Sequence, residues 1–82
     1  MIANFKQLEE LDLSGLPFKD DHLRQIGQLR LLQTLYLTGC PITDGGLEHL
    51  RGLKQLERLD VGGTKVTEEG LRKLKTALPK LK

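Results

Sequence analysis

Apolar residues recur along this chain at one fixed step. Leu8, Leu32 and Leu56 stand 24 residues apart, as do Leu11, Leu35 and Leu59. The same step joins Leu13 to Leu37 and Val61, Gly15 to Gly39 and Gly63, and Phe18 to Ile42 and Val66. It also joins Leu23 to Leu47 and Leu71, and Ile26 to Leu50 and Leu74. Run backwards, it sets Ile2 and Phe5 under Ile26 and Leu29. Run forwards, it brings Leu81 to the Leu8 position after one inserted residue near Thr76–Ala77. A unit this short cannot bury its apolar side alone, so stacked units must share a continuous core. The pattern divides a single domain, 1–82, into a partial repeat 1–7 and repeats 8–31, 32–55 and 56–80.

Within each unit the period changes. Leu11–Asp12–Leu13, Leu35–Tyr36–Leu37 and Leu59–Asp60–Val61 alternate apolar and polar, which predicts short half-buried strands. Leu23/Ile26, Leu47/Leu50 and Leu71/Leu74 then fall three apart, the spacing of one helix face. Thr43 and Thr67 are positioned as N-caps, and Asp20, Asp44, Glu68 and Glu69 place negative charge in the first turns. Lys19 holds the cap position in the first unit, which predicts a less clean start capped by Asp20. Gly15, Gly39 and Gly63 follow the strands, where the chain bends away from a sheet.

Composition narrows the class. Leucine supplies 19 of the 82 residues, against two Phe, one Tyr and no Trp, so one side chain builds the core. A chain this short normally needs a staple or an idealised fold. The lone Cys40 excludes an internal disulfide framework or a multi-cysteine zinc site, and fits a reducing, cytoplasmic setting. No apolar run approaches the roughly 20 residues of a membrane span, and the N-terminus lacks the apolar stretch of a signal peptide. A net charge of +2 does not by itself imply a nucleic-acid partner.

The segment LQTLYLTGCPIT, Leu32–Thr43, resembles the leucine-rich repeat, with Cys40 at the repeat's Asn/Cys position. Its continuation TDxGLxxL, Thr43–Leu50, is similar to the cysteine-containing and bacterial 24-residue subclasses. The first and third units depart from the pattern, with Leu16 and Thr64 at the Cys40 position, and the regular step also suits a minimal or designed repeat. The resemblance covers nearly the whole chain. It implies an α/β leucine-rich-repeat solenoid, an open horseshoe arc with a short parallel β-sheet on the concave face and helices on the convex face. It also implies protein binding through that concave face, with no catalysis and no cofactor or metal.

On such a sheet the residues between the inward leucines point outward in three columns. These are Glu10/Thr34/Arg58, Asp12/Tyr36/Asp60 and Ser14/Thr38/Gly62. Tyr36 stands between two aspartates, an arrangement suited to anchoring a basic protein partner. The plainer reading is a solvated sheet whose tyrosine covers its neighbours.

Charge is uneven along the chain. Residues 71–82 carry Arg72, Lys73, Lys75, Lys80 and Lys82 with no acid, so the net +2 divides into +5 here and −3 elsewhere. That end could meet nucleic acid or an anionic membrane, but no aromatic interleaves the lysines, and cations near a helix C-terminus are favourable without a ligand. His22 and His49 occupy different columns. Ser14 has no histidine–acid partners, and no glycine cluster forms a phosphate loop. Cys40 reads as structural.

Three readings therefore stand: a protein-interaction module, a structural or designed scaffold without a native partner, and an anionic-ligand binder through the basic C-terminal helix. A three-strand parallel sheet also leaves two unpaired edges, so self-association through its open ends is expected.

Overall fold

The computed structural model describes residues 7–82; Ile2 and Phe5, expected to cover the first core layer, lie outside the described residues. Three strands, β1 (Glu10–Asp12), β2 (Thr34–Tyr36) and β3 (Arg58–Asp60), pair in parallel in the order β1-β2-β3. Their register is the sequence step itself: Leu11 faces Leu35, and Leu35 faces Leu59. A helix follows each strand: α1 (Leu23–Ile26) and α2 (Asp44–Leu47) in the two crossovers, and α3 (Glu68–Ala77) after β3. A 3-10 turn, Asp20–His22, leads into α1, and another, Glu48–Leu50, follows α2. The helical spacing is therefore realised as a short stretch of mixed 3-10 and α turns in the first two units, and as a longer α-helix only in the third.

One core joins strands and helices. In the middle unit Leu32, Leu35, Leu37 and Ile42 are fully buried, and Leu23, Leu47, Leu50 and Leu74 pack against them. Their counterparts Leu11, Leu13 and Phe18 on one side, and Leu59, Val61 and Val66 on the other, are only partly buried. At these positions burial is complete only in the unit with neighbours on both sides, although Leu56, the counterpart of Leu32, is also fully buried. After each strand a glycine turns the chain with φ near +75°: Gly15 at 78°, Gly39 at 77° and Gly63 at 71°. A side chain there would strain the backbone.

Adjacent units are joined by a repeated polar contact. Asp20 Oδ1 accepts the Thr43 amide at 2.8 Å, and Asp20 Oδ2 accepts the Thr43 hydroxyl at 2.6 Å. Asp44 receives the same two bonds from Thr67, at 2.8 and 2.6 Å. Each threonine hydroxyl in turn accepts an amide of its own helix, from Gly45 for Thr43 and from Gly70 for Thr67, at 3.2 Å in both cases. The aspartates do lie in first turns, as expected, and they also cap the next unit.

The glycines of the TDxGL segments follow from this contact. A Cβ on Gly46 would stand 2.5 Å from Asp20 Oδ1, and one on Gly70 would collide with the Asp44 carboxylate. The first unit solves its cap differently. His22 Nδ1, not Asp20, accepts the Lys19 amide at 2.9 Å, because Asp20 is turned toward Thr43.

Candidate interaction surface

Strand alternation decides which side chains leave the core. Leu11, Leu35 and Leu59 point into it, so Glu10/Thr34/Arg58 and Asp12/Tyr36/Asp60 emerge on the opposite side of the sheet, in register across the three strands. Neighbouring parallel strands lie about 4.8 Å apart. Tyr36 thus has one aspartate on each side in the same row. Glu10, Asp12, Arg58 and Asp60 are exposed, while Thr34 and Tyr36 are half-buried. Ser14, Thr38 and Gly62 extend the surface just past the strands and are exposed.

The two aspartates are oriented by the turns that follow them. Asp12 Oδ1 accepts the Ser14 amide at 2.9 Å, and Asp60 Oδ1 accepts the Gly62 amide at 3.0 Å. The Ser14 amide, with its hydroxyl, holds the Asp12 carboxyl below the usual carboxylate range. Both bonds hold side chains that would otherwise rotate freely.

Elsewhere the chemistry-bearing residues are engaged in the fold. Cys40 is buried and its Sγ donates to the Leu13 carbonyl at 3.1 Å, bridging the first and second units. In the third unit Thr64 bonds back to the Val61 carbonyl at 2.6 Å. Leu16, at the same position in the first unit, is 46% exposed. His22 packs edge-on to Phe18, with ring centres 5.3 Å apart. Among the described residues no three His, Cys, Asp or Glu side chains converge to hold a metal. A shallow groove of about 260 Å³ between α2 and α3 is lined by Leu47, Arg51, Lys73 and Leu74.

Of the five C-terminal cations, Lys80 Nζ donates to Gln55 Oε1 at 2.7 Å and Lys73 lies 3.7 Å from Glu69. No described helix is long and apolar enough to cross a membrane.

The residues that sequence reasoning left without an inter-unit role are Asp20, Thr43, Asp44 and Thr67. A signal for them was present: an aspartate followed 23 residues later by a threonine, twice, with a glycine three residues further on.

No curated protein compared with the chain matches it. A family model described as Leucine Rich repeat matches residues 28–50 and 53–75. The two matches are adjacent, cover more than half of the chain, and include β2, α2, β3 and most of α3. With repeat matches and a parallel sheet that advances one strand per repeat, the chain belongs to the leucine-rich repeat family.

Proposed function

We propose that the chain is a non-enzymatic protein-interaction module whose binding surface is the outward side of the sheet. Leucine-rich repeats generally mediate protein–protein interaction, and the family is typically non-enzymatic. In this reading the repeats 8–31, 32–55 and 56–80 form a short arc of the TDxGL type, with the sheet concave and the helices convex. The surface comprises Glu10, Asp12, Ser14, Thr34, Tyr36, Thr38, Arg58, Asp60 and Gly62. Its centre is Tyr36, and its partner presents a basic side chain. The observation that carries the reading is the in-register row Asp12–Tyr36–Asp60, with both carboxylates held by turn amides. A lysine or arginine above Tyr36 meets the ring face and two carboxylates together.

Selection of a displayed random-peptide library against the chain tests this. Recovered binders are expected to be rich in Arg and Lys. Tyr36→Ala should weaken them about 30-fold, the loss expected of a central aromatic anchor of roughly 2 kcal/mol. Binding unchanged by Tyr36→Ala and Asp60→Ala rejects the surface.

A further inference from the structure

Among the described residues the sheet has two uncovered sides, and their hydrogen-bonding, apolar and charged groups are complementary. Inside the chain the first two units each donate backbone amides just past their strands to the next. Leu13 and Gly15 donate to the carbonyls of Tyr36 and Thr38, and Leu37 and Gly39 to those of Asp60 and Gly62, all at 2.8 Å. The equivalent donors of the third unit are the amides of Val61 and Gly63, which have no partner among the described residues. The equivalent acceptors are the carbonyls of Asp12, the last residue of β1, and Ser14: as the Tyr36 and Thr38 carbonyls turn toward the first unit, these turn to the outer side of β1.

The apolar groups match in the same way. Val61, Val66 and Leu71 on one side, and Leu13, Leu16 and Phe18 on the other, are left partly exposed, at positions where the middle unit is closed. Leu16 offers no donor to a facing carbonyl. The carbonyl it would face, that of Val61, already accepts from the Thr64 amide and hydroxyl.

Charge agrees as well. Residues 8–31 hold five acids against three bases, a net −2, and residues 56–82 hold four against seven, a net +3. At the position where Asp20 meets Thr43 and Asp44 meets Thr67, the third unit carries the exposed Glu68, and the first carries the exposed Lys19. Glu68 is one methylene longer than the aspartates. His22 stands where Gly46 and Gly70 make room for a short carboxylate. Two long side chains of opposite charge therefore stand at the positions that hold the close Asp–Thr contact inside the chain.

We propose that the chain associates head to tail with a second copy of itself, the open edge of β3 lying parallel to β1 of the next copy. The amides of Val61 and Gly63 donate to the Asp12 and Ser14 carbonyls of that copy, and Glu68 pairs with its Lys19. Pairing starts at Val61 because the Lys82 amide already donates to the Glu57 carbonyl at 3.0 Å. Such a contact joins two different surfaces, so it does not close at a dimer. It uses the backbone of Asp12 and Ser14 but no side chain of the outward columns, so side-chain variants of that surface test the proposed binding separately.

Sedimentation equilibrium over a concentration series tests it with Glu68→Lys, Lys19→Glu and an equimolar mixture of the two variants. The wild-type mass should rise past two chains with concentration and fall at 1 M salt, where the screening length is about 3 Å. Each single variant sets like charges against each other, and should raise the concentration needed about tenfold. The mixture should return to wild-type behaviour, since every joint in an alternating row again pairs opposite charges. A wild-type mass of one chain at all concentrations to 1 mM overturns the proposal. So do single variants that associate like wild type, or a mixture no better than either variant alone. Both substituted positions are exposed, and circular dichroism of each variant confirms that the comparison is between folded chains.

Discussion

Asp44 and Thr67 meet across the boundary between the second and third units through two hydrogen bonds, amide to Oδ1 at 2.8 Å and hydroxyl to Oδ2 at 2.6 Å. Asp20 and Thr43 repeat the geometry one unit earlier. A helix cap thus serves as the join between repeats, and register between units is held by polar contacts as well as by leucine packing. Each carboxylate satisfies a first-turn amide that would otherwise be left to water.

Acid should loosen this join. The Thr67 hydroxyl, and then its amide, hold the Asp44 carboxyl below its ordinary value. A carboxyl depressed in the folded state adds stability that is fully present above its unfolded value of about 3.9 and is lost as pH falls through the folded value. Stability should therefore decline below about pH 4, and Asp44→Asn should flatten that decline. Thermal melts of both proteins from pH 6 to pH 2 check this; identical slopes reject the role of Asp44.

Gly70→Ala should destabilise by about 1–3 kcal/mol, although alanine is the better helix former, because its methyl collides with the Asp44 carboxylate. Gly52→Ala, where a Cβ meets nothing within 4 Å, should be neutral or slightly stabilising. Combining Gly70→Ala with Asp44→Ala should cost less than the sum of the two, since the second change removes the obstacle. Urea melts of the four variants measure it, and simple additivity sinks the account.

Leu35→Ala should cost about 2–5 kcal/mol, and Leu11→Ala about 1–2 kcal/mol. Both residues hold the same repeat position, but Leu35 is fully buried between two neighbouring units while Leu11 is only partly buried. Equal losses in chemical denaturation would mean that the repeats do not depend on their neighbours in this way.

Gly39→Ala should lose about 1–2 kcal/mol from backbone strain alone, because φ there is +77° and no atom crowds the site. Substitution by asparagine, which tolerates this conformation better, should recover part of the loss. The urea midpoints of the two variants give the ranking.

The strands and their partners were legible because the 24-residue step places Leu11, Leu35 and Leu59 in one row, and parallel register follows when identical units stack. The caps were half legible. Thr43 and Thr67 are recognisable N-caps from type and position, but the bond that each makes to an aspartate 23 residues earlier depends on how far one unit rises over the last. Lys19 misled for the same reason. Its amide is served by His22, three residues on, because the aspartate expected there is committed to the next unit. The outward columns follow from alternation along a strand. The orientation of Asp12 and Asp60 could not be read, since it is set by turn amides two residues ahead.

The sequence by itself determined the repeat, the row each leucine occupies and the class of local structure, because periodicity is a property of the chain alone. Only the tertiary structure decided which polar groups cross from one unit to the next and why Gly46 and Gly70 must lack a side chain. It alone also left the Val61 and Gly63 amides on one side of the sheet without a partner among the described residues. These depend on distances between residues more than twenty positions apart, and such distances exist only once the units have stacked.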